Sequence, residues 1–106
     1  MTFVLRPMTL DDLPAVMRVE RETFPHDAWS EGMLRGELDD QPRTRHYVVA
    51  LMDDEIVGYA GLLAAGDQAD VQTIAVLATR RRAGIGGAML TELLAEAVRR
   101  KARSVF

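Results

Sequence analysis

The spacing of apolar positions changes along the chain, and the changes divide it into elements. Thr2 to Leu5 is a short β-type run that Pro7 stops. Thr9-Leu-Asp-Asp12 sets an acid three residues after a hydroxyl, the reciprocal arrangement that caps a helix start. Leu13, Val16, Met17 and Phe24 follow at near-helical spacing. They predict a first helix over about residues 10–22, closed by Phe24-Pro25. Ser30 is placed to cap a second helix whose Met33, Leu34 and Leu38 face inward. Asp39 to Arg45, with Pro42 inside it, reads as a polar connection.

From His46 the period is that of strands. His46 to Met52 is one, Asp53-Asp54 a turn, and Glu55 to Leu63 a second, which together predict a hairpin. Ala64 to Ala69 reads as another turn and Asp70 to Val76 as a third strand. Strict alternation would turn Val71, Thr73 and Ala75 to one face and Gln72, Ile74 and Val76 to the other. The strongest helical pattern comes last, with Ile85, Met89, Leu93, Leu94, Ala97 and Val98 as its buried stripe. Arg99, Arg100 and Lys101 end it, which suits the negative pole of a helix. Ser104 to Phe106 reads as the start of one more strand. The order predicts an α+β fold: a mostly antiparallel sheet with flanking helices and one strand-loop-helix crossover. The 106 residues are expected to form one domain.

Charge and composition narrow the chemistry. Lys and Arg total 13 against 16 Asp and Glu, a formal net charge of -3. Global attraction to nucleic acid is therefore not expected, and only a local patch could supply it. The chain has no cysteine, so disulfide and thiolate chemistry are excluded. Its two histidines, His26 and His46, lie far apart in sequence, and no metal site is expected. The N-terminus does not read as a signal peptide, because Arg6 and Pro7 interrupt any apolar core, and no apolar run approaches a membrane span. A cytoplasmic setting is expected.

One stretch concentrates the candidate chemistry: Arg80-Arg81-Arg82-Ala83-Gly84-Ile85-Gly86-Gly87, at the start of the last helix. A helix start carries unpaired backbone N–H groups and partial positive charge. Glycines let a bulky anion approach those groups, and arginines add bidentate donors for phosphate oxygens. Strand, basic glycine-rich loop and helix together make a pyrophosphate cradle. The Walker A pattern is absent, and the dinucleotide fingerprint fails at its third glycine, where Met89 stands.

Arg81-Arg82-Ala83-Gly84-Ile85-Gly86 resembles the R/Q-x-x-G-x-G/A motif of the GNAT N-acetyltransferases, and Thr73 to Val76 resembles the end of that family's fourth strand. Glu20, Phe24-Pro25 and Trp29-Ser30-Glu31 are similar to the RimI-type ribosomal-protein N-terminal alanine acetyltransferases. The resemblance runs through the whole chain. It implies an acetyl-CoA site in which main-chain groups of Ile74, Ala75 and Val76 pair with the pantetheine arm. The N–H groups of Arg82, Ala83, Gly84, Ile85, Gly86 and Gly87 would hold the pyrophosphate, with Arg81 or Arg82 lending charge. It also implies an acceptor amine at a protein N-terminus, for the RimI type a ribosomal-protein alanine. The family often has an acid-proline pair where this chain has Leu77-Ala78.

The same resemblance implies a glutamate as general base early in the fifth strand and a later tyrosine as general acid toward the CoA thiolate. Both fall beyond Phe106, and the chain is expected to be truncated at its C-terminus. Asp70 and Gln72 lie on the strand where some acetyltransferases place a base. Asp70 reads first as a strand-start residue, Tyr59 as sheet packing, His46 as a surface residue and Glu20 as part of a solvated helix face. An unpaired strand edge and uncovered apolar area predict a chain that is unstable by itself, self-associates, or is a piece of a longer product. Two other readings follow from the same residues: a CoA-binding fragment without turnover, or a phosphate- or RNA-binding module using Arg80 to Arg82 with Arg99 to Lys101.

Overall fold

The computed structural model describes residues 2–106. Strand β1 (Val4–Pro7) leads through a 3-10 turn (Leu10–Asp12) into helix α1 (Leu13–Thr23) and then α2 (Glu31–Asp39). Strands β2 (Arg45–Met52), β3 (Glu55–Ala65) and β4 (Gln68–Val76) follow, then a second 3-10 turn (Ala78–Arg80), α3 (Ile85–Arg99) and β5 (Ser104–Val105). They form one sheet in the order β1-β2-β3-β4-β5. Neighbours are antiparallel except β4 and β5, which the α3 crossover makes parallel. This is the α+β arrangement that the patterning predicts.

The helices divide between the two faces, as strand geometry shows. Adjacent residues on a strand point to opposite faces. His46 meets Glu92 of α3, and its neighbour Tyr47 meets Glu37 of α2. On β3, Tyr59 bonds Glu20 of α1, whereas a Cβ on the preceding Gly58 would meet Met89 of α3. Apolar residues of α1 (Leu13, Val16, Met17, Val19) and of α3 (Ile85, Met89, Leu93, Ala97) are thus buried on opposite sides of one sheet.

Several element ends differ from the sequence expectation, each for a physical reason. β1 runs to Pro7 instead of stopping before it. It is an edge strand, so the missing proline N–H costs the ladder nothing. Residues 10–12 form a 3-10 turn before the α-helix, not its first turn. Phe24 and Met33, expected inside, are exposed. Asp53 and Asp54 both have positive φ, 53° and 63°, which matches the twist of a two-residue hairpin. The next turn is only Gly66-Asp67, because Ala64, Ala65, Gln68 and Ala69 pair in the ladder. On α3 the buried row is Ile85, Met89, Leu93 and Ala97, while Leu94 is 41% and Val98 75% exposed. A helix resting on a sheet buries one i, i+4 row; residues one step further round point past the contact.

Two buried acids anchor the helical side. Arg6 forks onto Asp12, with Nη1–Oδ2 at 2.7 Å and Nη2–Oδ1 at 2.8 Å, and the Thr9 amide donates to Oδ2 at 2.8 Å. The Arg6 guanidinium holds the Asp12 carboxyl below its usual range. A carboxylate whose folded pKa is depressed stabilises above the unfolded value and loses that stabilisation as pH falls through the folded one. Asp12→Asn is therefore expected to cost about 1 kcal/mol at pH 7, a modest figure because Arg6 is partly in solvent. In thermal melts the gap from wild type should close as pH drops from about 4 downward.

Glu20, expected on a solvated face, is only 2% exposed. The Tyr59 hydroxyl donates to its Oε1 at 2.5 Å and the Trp29 amide to its Oε2 at 2.8 Å. Burial, and then the Glu20 carboxylate, push the Tyr59 hydroxyl above its ordinary value. The carboxylate ties α1 to the sheet and to the loop entering α2. Glu20→Gln would point an amide N–H at one of these two donors. It is expected to cost about 2 kcal/mol, read from the urea midpoint.

Candidate functional site

Helix α3 starts without a side-chain cap. Its N-cap is Gly84 at φ 82°, and Arg82 just before it also has positive φ, 69°. Left-handed residues in such a turn direct successive N–H groups into a concave nest. The Ala88 amide bonds the Gly84 carbonyl at 3.0 Å. The amides of Ile85, Gly86 and Gly87 precede it and are the orphan donors of the helix end. No acid stands in the first turn to compete for them. A Cβ on Gly86 would meet only Val76 Cγ2, at 3.9 Å, and one on Gly87 would meet nothing within 4 Å.

These groups open onto a cleft of about 400 Å³. Of the residues expected at the site, Ile74, Val76, Arg81, Arg82, Gly84, Ile85, Gly86 and Gly87 line it. Ala75 and Ala83 do not: the Ala75 side chain is buried in the core and Ala83 is exposed. Arg80, the first residue of the basic stretch, also lines the cleft, and so do Thr23 and Phe24, which were not expected there. Phe24 directly follows α1, more than fifty positions before the loop; no local pattern links the two, and only the fold brings them together.

One end of the cleft runs into an unpaired strand edge. β5 covers the start of β4, with Val71 N donating to Phe106 O at 2.7 Å and Phe106 N to Ala69 O at 2.9 Å. Among the described residues, β4 beyond Val71 is paired on its β3 side only. The register places Gly61 opposite Thr73 and Leu62 opposite Val71, so Gln72 is an extra, bulged residue. The bulge breaks the expected alternation: Val71 and Thr73 lie on opposite faces. The Arg81 Nε donates to the Val76 carbonyl at 3.3 Å, joining the basic loop to this edge.

The other candidate groups lie elsewhere. Asp70 sits in the part of β4 that β5 covers, and Tyr59 is in the core. His46, expected on the surface, is largely buried beside Glu92 at 2.8 Å. Ligand atoms of His46, Glu92 and Glu96 lie within 4.8 Å of one another, which is metal-site spacing. Arg99 and Arg100 already supply the cations there, with contacts of 2.7 Å to Glu92 and Glu96. Arg100 also donates to main-chain carbonyls of Pro42 and Arg43. Both arginines thus already have acidic partners within the chain, which weakens their reading as a nucleic-acid patch. Among the described residues no helix is long and apolar enough to cross a membrane.

An unpaired β4 edge beside a nest of amides at the start of the next helix agrees with the site that the motif resemblance implies. The model for the acetyltransferase (GNAT) family matches residues 13–106, and the chain belongs to that family. Solved structures share its fold. The PaiA N-acetyltransferase of Thermoplasma acidophilum, determined in complex with coenzyme A, superposes with a TM-score of 0.83 at 17% identity, covering 94% of this chain and 74% of that one. The ribosomal-protein-S18-alanine N-acetyltransferase of Escherichia coli gives 0.82 at 23% identity, covering 93% and 61%. Ard1 of Thermoplasma volcanium gives 0.86 at 19% identity, covering 99% and 70%. The chain thus spans less than two thirds of the E. coli enzyme. No curated protein sequence matches it.

Proposed function

We propose that this chain carries the acetyl-CoA site of an N-acetyltransferase acting on the α-amine of a protein N-terminus. The observation that carries the reading is the cleft itself. Three small residues, no competing acid and unpartnered amides face a space walled by arginines and open to a strand edge. Amides of Arg82 to Gly87 hold the pyrophosphate, Arg81 or Arg82 adds charge, and the open edge from Ile74 to Val76 pairs with the pantetheine arm. When bound, the cofactor supplies an acetyl thioester open to attack by an amine. Gly86 and Gly87 let the diphosphate reach the helix end, where a side chain would hold it off.

An alanine of a ribosomal protein is the acceptor this reading favours, in a cytoplasmic setting. Phe24-Pro25 and Trp29-Ser30-Glu31 support it, as does the fold shared with the S18-alanine enzyme. Titrating the chain separately with CoA, ATP and a short RNA tests the site. CoA should bind most tightly, and preference for ATP or RNA would replace the reading with a general phosphate or nucleic-acid site. Intact-mass analysis of an alanine-starting peptide incubated with acetyl-CoA then separates turnover from cofactor binding alone.

A further inference from the structure

A second cavity, of about 350 Å³, lies on the opposite face of the sheet from α3, walled by Trp29, Met33, Glu37 and Gln72. Gln72 is the bulged residue at the start of the open β4 edge. It lies four residue steps from Val76 at the first cleft, about 13 Å of chain. A ligand lying along that edge from the α3 end therefore arrives beside Gln72.

The polar floor of this cavity is a chain of side chains with one proton to share. Arg45 grips Glu37, with Nε–Oε1 at 2.7 Å and Nη2–Oε2 at 3.3 Å. The buried Tyr47 hydroxyl lies 3.0 Å from Glu37 Oε1 and 2.7 Å from Gln72 Oε1. A hydroxyl has a single proton, and a carboxylate oxygen and an amide oxygen are both acceptors. The bond to a carboxylate is the stronger, so Tyr47 donates to Glu37. Burial, and then Glu37, raise the Tyr47 pKa, which keeps that proton in place. Gln72 then pairs with the Tyr47 oxygen through its amide N–H, with the side-chain amide turned to bring its nitrogen to the hydroxyl. That leaves the Gln72 carbonyl oxygen as the group offered to the cavity.

We infer that Gln72 is a specificity-determining residue. Its carbonyl accepts an N–H of the acceptor amine, while Trp29 and Met33 receive an apolar first side chain. This rests on the proposed acetyl-CoA site, which supplies the other reactant along the β4 edge. Arg45 offsets the charge of Glu37, so the floor carries no net negative charge. It can hold an amine without the anion that would keep it protonated, and a neutral amine is the nucleophile acetyl transfer needs. Met33, 53% exposed, is flexible enough to close on side chains of different size.

Trp29 is the single tryptophan, so its emission reports on this cavity alone. The CoA-saturated chain is titrated with a short alanine-starting peptide bearing a free amine, with the same peptide N-acetylated, and with an aspartate-starting peptide. The free-amine alanine peptide should shift the emission and bind at least tenfold more tightly than the other two. Gln72→Ala should bring the free and N-acetylated alanine peptides to within about twofold of each other. Met33→Ser should weaken the alanine peptide while leaving that free-to-acetylated ratio intact. CoA affinity should be unchanged in both variants. If CoA binds but Trp29 ignores the free-amine peptide, or answers the N-acetylated one equally, the inference fails and the acetyl-CoA site stands. If CoA does not bind to the unaltered chain, both fall together.

Discussion

Gly86→Asp is expected to weaken CoA binding by at least a hundredfold while leaving the chain folded. The two halves of this expectation have separate causes. A Cβ at position 86 meets only Val76 Cγ2, at an ordinary contact distance of 3.9 Å, so the core does not have to move. An acid in the first turn of α3 faces the positive end of the helix and stabilises it by several tenths of a kcal/mol. That same carboxylate occupies the approach to the amides of Ile85 to Gly87 and repels an anion. Losing charge-assisted hydrogen bonds and adding repulsion together cost about 3 kcal/mol or more, which is the hundredfold change. Gln72→Ala, remote from the loop, should leave CoA affinity within about twofold. Calorimetry reads the affinity and a thermal melt reads the fold. A Gly86→Asp chain that binds CoA normally would remove the diphosphate from this helix end.

The largest effect on stability is expected at a glycine with no part in binding. Gly61 lies directly across the β2–β3 ladder from Tyr47. A Cβ there would overlap Cε2 and Cζ of the Tyr47 ring. The ring cannot swing aside, because its hydroxyl is tied to Glu37 and Gln72 and the residue is fully buried. Gly61→Ala should therefore destabilise by about 3 kcal/mol, at the upper end for overpacking. The melting temperature should fall by about 15 °C. Gly36→Ala is the contrast. That glycine lies inside α2 with nothing within 4 Å of its Cβ, so the same change should stabilise by about 0.5–1 kcal/mol. Equal effects at the two positions would show that intrinsic propensity, not the tyrosine ring, governs position 61.

Local rules explain what could be read from the residues alone. The β2–β3 hairpin follows from alternating apolar runs around Asp53-Asp54, and α3 from its i, i+4 row. The proposed anion site rests on a signal just as local, three arginines meeting three glycines at a helix start. Each of these signals lies within a few residues of the feature it specifies. What the sequence concealed depends on distant partners. Glu20 reads as a surface acid until Tyr59 and the Trp29 amide are brought to it across 39 and 9 positions. Leu94 and Val98 fit a helical stripe, but the width of the sheet contact decides that they stay outside it. The Gln72 bulge is a matter of register with β3, and register is a property of the pair. Phe24 enters the cleft only because α1 ends beside it.

The most direct test of the central claim is an amide-resolved NMR titration of the chain with CoA. The account predicts that the largest shifts fall on the amides of Arg82 to Gly87, with a second set along Ile74 to Val76, and that Gly86→Asp erases both. Saturable binding that leaves those amides unmoved, or that moves residues around His46 and Glu92 in their place, would contradict it.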